Sequence, residues 1–270
     1  MRALYAVLGD PVAHSLSPKI HARAFAELGV DAVYAPCLVT AAGLPKAVEG
    51  LRALGVAGFN VTVPHKESVF RLVDHVEKSA QAIGAVNCVA REEDGLSGHN
   101  TDAPGLLRAL HAHGVNPQGS VAVIVGGGGS ARAAAWALAA HASRITILNR
   151  SESKALALAA LVRAAGCVGE AAPLEAQEPL REATLVVHCT SIGLGSETMP
   201  FDPALLPTAA TLVDLVYSRE GPTALLRNAR VRTVDGLDVL VHQAISSLEV
   251  WLKKPQLGAL APVLRKAALA

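Results

Sequence analysis

The stretch that most restricts the fold begins with Val121-Ala122-Val123-Ile124-Val125, five aliphatic residues in a row. Such a run reads as a strand buried on both faces. Gly126, Gly127, Gly128 and Gly129 break it, and Ser130 and Ala131 lead into Arg132-Ala133-Ala134-Ala135-Trp136-Ala137-Leu138, a helix of strong intrinsic propensity. Gly126, Gly128 and Ala131 stand at the spacing of a dinucleotide-binding turn. Each position has a physical job. Gly126 permits the tight turn, Gly128 lets backbone approach a pyrophosphate, and Ala131 lets helix and strand pack closely. The anion then meets the N–H groups and the positive end of the helix. A plain structural turn is the competing reading of the glycines alone.

The next strand narrows the cofactor. Ser143-Arg144-Ile145-Thr146-Ile147-Leu148 runs into Asn149-Arg150-Ser151, with Lys154 one helical turn further on. About 20 residues past the glycines an NAD enzyme usually carries an acid for the ribose 2′-hydroxyl. A carboxylate there would repel a 2′-phosphate, whereas an Arg offers it a planar donor fork. Solvated surface charge is the alternative, but cations at a helix start are slightly unfavourable. The expected cofactor is NADP.

Composition excludes several other classes. The 270 residues suit two domains, and with 17% charged and 51% hydrophobic residues the chain belongs among compact helix-rich α/β proteins. The formal net charge is +1 and aromatics make up 3%, so nucleic-acid binding has no electrostatic footprint. Cys37, Cys88, Cys167 and Cys189 are scattered without a C-x-x-C pair and read as small buried hydrophobes in a reducing compartment. The histidines show no ligand spacing, and no metal site is expected. The N-terminus lacks a signal-type apolar core and no run approaches membrane-spanning length. These features lead us to expect a soluble cytoplasmic protein, with oligomeric state open between monomer and homodimer.

Earlier in the chain, residues 4–8 read as a strand and 9–17 as a loop. Pro18 opens a helix to about Leu28, with Ser17 as its expected N-cap. Ser15 and Ser17 flank that helix start, where a small carboxylate would also fit; local physics leaves capping and binding equally open. Gly58 to Pro64 reads as a strand whose alternation sets Asn60 and Thr62 on one face. Lys66 stands just past its end, at the ligand-bearing edge of an α/β sheet. Residues 85–91 and 96–99 form an expected hairpin around Asp94-Gly95. Asp102 starts a helix, where a lone acid is ordinarily a cap or first-turn residue. From 121 to 234 strands alternate with helices, including one expected near 174–181, which implies parallel right-handed crossovers. A long helix follows Gly236, and a last one is expected from Pro255 onward.

Taken together, these segments resemble the shikimate dehydrogenase family over essentially the full length. The carriers are residues 9–18, Asn60-Val61-Thr62-Val63-Pro64-His65-Lys66, Gly84-Ala85-Val86-Asn87 and Asn100-Thr101-Asp102, followed by Gly126 to Ala131, Asn149-Arg150-Ser151, and Gly236-Leu237 through Gln243. The resemblance implies reversible NADPH-dependent reduction of 3-dehydroshikimate to shikimate in aromatic amino-acid biosynthesis. It implies an α/β fold of two domains. An N-terminal α/β substrate domain would span 1–102 and be rejoined by the C-terminal helices, 237–270. A Rossmann-like doubly wound nucleotide domain, 103–236, would be inserted between them.

Carried over by position, the substrate pocket would comprise Ser15, Ser17, Thr62, Asn87, Tyr217 and Gln243, with Lys66 and Asp102 as the catalytic pair. Ser15 and Ser17 would take the ring carboxylate. The cofactor would meet Gly126, Gly127, Gly128, Gly129, Ser130, Ala131, Asn149, Arg150, Ser151, Lys154, Thr190 and Gly236. Three positions depart from the family's usual pattern: His188 stands for Asn, Asp238 for Gly and Val239 for Met. An extra Asp238 is expected to disfavour an anionic cofactor. The rival readings are a quinate/shikimate dehydrogenase of broader range, using NAD or NADP, and a non-catalytic protein that senses NADP or a metabolite.

Overall fold

The computed structural model describes residues 2–270. The chain divides into two compact units, Met1–Thr101 with Val241–Ala270, and Asp102–Leu240. The divisions fall at Thr101/Asp102 and Leu240/Val241.

The first unit is built on a six-stranded mixed sheet of order β2-β1-β3-β5-β6-β4. Strand β1 (Ala3–Gly9) pairs in parallel with β2 (Ala32–Leu38) and β3 (Gly58–Val61). The hairpin of β5 (Cys88–Glu92) and β6 (Gly95–His99) adds antiparallel to β3, and β4 (His75–Val76) closes the edge. Helices α1 (Ser17–Leu28), α2 (Leu44–Ala53) and α3 (Lys78–Ile83) connect these strands. One core gathers Leu8, Val48, Phe59, Val61, Val69 and Val89.

Three local expectations are corrected here. The helix α1 begins at Ser17 itself, so Ser17 does not cap it; Leu16 holds that position, and the Ser17 N–H donates to Ser15 Oγ at 3.3 Å. The strand expected to reach Pro64 stops at Val61: the Thr62 N–H makes the last ladder bond, to Leu8 O of β1, and the His65 N–H then closes a turn on Thr62 O. The last helix does not run from Pro255. A 3₁₀ turn over Leu257–Leu260 precedes α10 (Ala261–Leu269), since Pro262 suits the first turn of a helix and no later position.

Aromatics are scarce in the chain, yet five rings of this unit, His21 included, gather in one cluster. Phe25 and Trp251 flank His21 and both meet Tyr5, while the His21 ring stacks on Tyr34 at 4.2 Å and 5°. Full burial pushes the His21 pKa down to about 4, against a smaller upward pull from the Ser17 carbonyl. The unfolded chain therefore binds a proton here that the folded chain refuses between pH 6.5 and 4. Stability present above pH 6.5 is lost as pH falls through this window, by about 3 kcal/mol. Urea midpoints followed from about pH 7 to 4 should show this loss, and His21→Phe should flatten it. An unchanged profile in the variant would assign the loss elsewhere.

The second unit carries a six-stranded, wholly parallel sheet of order β12-β11-β10-β7-β8-β9. Its strands are β7 (Val121–Val125), β8 (Arg144–Asn149), β9 (Val168–Pro173), β10 (Leu185–His188), β11 (Thr211–Asp214) and β12 (Arg232–Asp235). This is the doubly wound order, and strand succession reverses between β7 and β10. The covering helices are α4 (Asp102–Ala112), α5 (Gly129–Ala139), α6 (Glu152–Ala164), α7 (Glu178–Glu182) and α8 (Ala224–Asn228). The helix α7 is shorter and later than the 174–181 expected. A turn from Pro173 O to the Ala176 N–H intervenes, and Pro179 sits in the helix's first turn. Residues 122–125 of β7 are fully buried, as a central strand covered on both faces requires. The alanines of α5 make that cover thin: Ala131, Ala134, Ala135 and Leu138 join the core with Ile124, Ile145 and Ile147. The long helix α9 (Gly236–Leu252) starts in the second unit and ends in the first. Among the described residues no helix is long and apolar enough to cross a membrane.

Candidate active site

In the second unit the glycines occupy the sheet's C-terminal edge at the reversal, where open α/β sheets bind their ligands. Gly126 has φ +134°, a conformation L side chains rarely adopt, and a Cβ there would lie 3.1 Å from the Cys189 carbonyl carbon. Gly128 is different. It is extended, and an added Cβ would meet nothing within 4 Å. No packing demands glycine at that position, so the open space is where backbone can approach a bulky anion. The eleven-residue helix α5 begins directly after it, presenting its first-turn N–H groups. Gly128→Ala should therefore leave the unfolding free energy from urea titration within about 0.5 kcal/mol of the parent while weakening NADP binding. A variant binding NADP normally would remove Gly128 from the cradle.

The turn after β8 lies beside the glycines. Asn149 packs under Gly127, where a Cβ would come 2.7 Å from Asn149 Nδ2 and 3.1 Å from Lys154 Cβ. The same amide donates to Ser151 O at 3.0 Å, and Ser151 Oγ lies 3.0 Å from Ser153 Oγ. Arg150 and Lys154 are exposed beside this turn. Two cations and the α5 N-terminus thus share one rim of the sheet.

On the other side of the reversal a polar chain runs inward from Thr190. His188 Nε2 lies 2.5 Å from Thr190 Oγ1, and His188 Nδ1 lies 2.8 Å from Asp214 Oδ1. Asp214 also accepts from the Val216 N–H at 3.0 Å and from the Thr223 hydroxyl at 2.6 Å. The His188 and Asp214 side chains are 0% and 1% exposed. Sequence reasoning noticed His188 only as a departure; nothing in the one-dimensional pattern announced its partner, which lies on the neighbouring strand. Gly236 opens α9 against this strand end, where a Cβ would meet Asp214 O at 2.6 Å. The Asp238 carboxylate is engaged within its own unit, 2.9 Å from His113 Nε2. Val239 is buried in the core.

The first unit assembles a second polar cluster from segments far apart in sequence. Asn87 Nδ2 donates to Thr101 Oγ1 at 3.0 Å while its Oδ1 accepts from the Thr101 N–H at 2.7 Å. Gln243 Nε2 donates to Thr101 Oγ1 at 2.8 Å and to Ser247 Oγ at 2.9 Å. Asn60 Nδ2 donates to Asn87 O and to Ser247 Oγ, both at 3.0 Å, and its Oδ1 accepts from Tyr34 at 2.8 Å. All of these but Tyr34 are within a few percent of full burial, so their hydrogen bonds fix one rotamer each. Asn87 and Gln243 were expected from the sequence. Tyr34, Asn60, Thr101 and Ser247 as their supports were not, since a serine on an apolar helix face carries no signal of its own.

The remaining expected residues are placed as follows. Ser15 and Thr62 are half-buried and Ser17 is buried in the first unit. The Thr62 methyl abuts Gly9 so closely that no Cβ would fit there. Lys66 is half-buried past the end of β3, with its carbonyl accepting the Val86 N–H. Asp102 is the first residue of α4 and Tyr217 lies beyond β11, both in the second unit. Of the cysteines, Cys88 and Cys167 are buried but Cys37 and Cys189 only half so; burial raises the Cys37 and Cys167 thiol pKa values. Among the described residues, no group of three His, Cys, Asp or Glu is arranged to hold a metal.

Comparison with known proteins shows the family. Residues 7–89 match the profile described as the shikimate dehydrogenase substrate binding domain. A curated shikimate dehydrogenase (NADP(+)) from Symbiobacterium thermophilum is 44% identical, covering 98% of this chain and 92% of the relative. The chain belongs to the shikimate dehydrogenase family. A second relative of the same name, from Rubrobacter xylanophilus, is 42% identical over 96% of this chain and 94% of its own. The shikimate 5-dehydrogenase of Thermus thermophilus, crystallised with NADP(H) and shikimate, superposes with a TM-score of 0.87 at 36% identity, covering 99% of this chain and 100% of that one.

Proposed function

We propose that the chain catalyses reversible NADPH-dependent reduction of 3-dehydroshikimate to shikimate, on the route to chorismate and the aromatic amino acids. The supporting observation is the pairing, in one family member, of an open glycine cradle with the Asn87–Thr101–Gln243 cluster. The unit Met1–Thr101 with Val241–Ala270 takes the substrate and the unit Asp102–Leu240 the cofactor. The scattered free cysteines fit a reducing, cytoplasmic setting.

The cradle suits NADP: Gly128 leaves room, α5 supplies N–H groups, and Arg150 and Lys154 offer cations for a 2′-phosphate. Bound there, the cofactor supplies a hydride. The chain supplies the rest. Ser15 and Ser17 hold the ring carboxylate, and Thr62, Asn87, Tyr217 and Gln243 orient the hydroxyls. As negative charge develops on the C3 oxygen, the Lys66 ammonium stabilises it and gives it a proton. Asp102 is the second member of the proposed catalytic pair and takes part in restoring the proton. The preset rotamers of Asn87 and Gln243 mean that little entropy is lost when substrate arrives.

Turnover with shikimate and with quinate, each against NADP+ and NAD+, tests the reading. Shikimate with NADP+ should give the highest kcat/KM. Equal rates with quinate would favour the broader dehydrogenase, and no turnover with any pair would favour a sensor. Arg150→Ala should cost roughly 10- to 100-fold in kcat/KM for NADP+, the worth of charge-assisted hydrogen bonds, and little for NAD+. Equal losses for both dinucleotides would dissociate Arg150 from the 2′-phosphate.

A further inference from the structure

Helix α9 carries Gln243, Ser247 and Trp251 four residues apart, hence on one face. Trp251 Nε1 donates to Val89 O at 2.9 Å and covers Gly58, where a Cβ would come 2.5 Å from the indole nitrogen. The end of the helix is thereby docked on β3 and β5. Ser247, one turn back, is 0% exposed, and three side chains converge on its hydroxyl. Asn60 Nδ2 reaches it at 3.0 Å from β3, Thr101 Oγ1 lies at 3.0 Å, and Gln243 Nε2 donates to it at 2.9 Å from the preceding turn. Its own distance to Gln243 O is 3.3 Å. Serine is a poorer helix former than alanine, and burying its hydroxyl adds a desolvation cost. Packing alone gives no reason for it. What the hydroxyl does is hold Gln243: the amide nitrogen is tied to Ser247 and Thr101 together, while Oε1 takes no part in these bonds.

We propose that Ser247 is a positioning residue for the substrate, clamping Gln243 against Thr101 so that its amide meets the ligand already oriented. The reason for a clamp is the length of the side chain. Glutamine has three rotatable bonds, and ordering them on ligand arrival costs affinity unless the folded chain has ordered them beforehand. The other two partners do not depend on Ser247 in this way. Asn60 keeps its bonds to Asn87 O and Tyr34, and Thr101 keeps its two to Asn87. The effect of Ser247 on substrate therefore passes through Gln243. The inference rests on the shikimate reading above.

Steady-state kinetics of the full chain test it. Ser247→Ala should raise the KM for shikimate roughly 5- to 10-fold, within the worth of one neutral hydrogen bond. The kcat and the KM for NADP+ should stay near the parent values, the signature of lost uniform binding. In a Gln243→Ala background the same substitution should change the shikimate KM by less than about twofold, because the group it acts through is gone. A rise below about threefold in Ser247→Ala, or an equal rise in both backgrounds, overturns the inference. So does a kcat or NADP+ KM that moves as far as the shikimate KM, as general loosening of the protein would cause. Failure of the unsubstituted chain to turn over shikimate with NADP+ overturns the reaction reading, and this inference with it.

Discussion

Lys66→Ala should lose about 10²- to 10⁴-fold in kcat, the usual worth of a positioned general acid, while NADP binding stays near the parent value. The reaction moves a hydride to a carbonyl carbon, so an alkoxide forms unless a donor meets it. Without the ammonium, the developing charge faces water or nothing. Dinucleotide affinity should survive because Lys66 belongs to the first unit and the glycine turn to the second. Steady-state kinetics with shikimate, alongside NADP+ titration by fluorescence quenching, measures both halves. A kcat within about threefold of the parent would remove Lys66 from the chemistry. Lost NADP affinity would instead point to a wider structural effect.

Asp214→Ala should destabilise the protein by about 3–5 kcal/mol. The substitution strands three donors at once: the His188 Nδ1–H, the Thr223 hydroxyl and the Val216 N–H. His188 is fully buried, and no solvent can take the carboxylate's place. The Thr223 hydroxyl also accepts the Leu226 N–H at the start of α8, so the loss extends to that helix cap. Urea unfolding measures the change. A shift under about 1 kcal/mol would mean that water enters the space and that the chain of hydrogen bonds contributes little to stability.

The two halves of the candidate site differed in how openly the sequence displayed them. The glycine turn was legible because its constraints are local: a buried strand, a φ of +134° at Gly126 and a helix start all fall within a few residues. Arg150 and Lys154 follow at a spacing set by one strand–helix–strand unit. By contrast, Ser17 looked like a cap and is not one. The choice between Ser17 and Leu16 depends on a turn geometry that residue preferences set only weakly. The strand through Asn60 was read too long because the pattern of alternation continues past Val61, whereas the last ladder bond is that of the Thr62 N–H to Leu8 O and a turn closed by His65 follows.

By itself the sequence determined the fold class, the glycine turn after the central strand of the second sheet, and the family. Periodicity, glycine spacing and charge sign are properties of neighbours along a chain. Only the tertiary structure decided which polar groups hold one another. Ser247 joins Asn60, Gln243 and Thr101; Asp214 joins His188 and Thr223; and Asp238 meets His113. The reason is physical. A buried hydrogen bond is selected by desolvation and direction in space, and strand order brings together donors and acceptors that no spacing in the sequence relates.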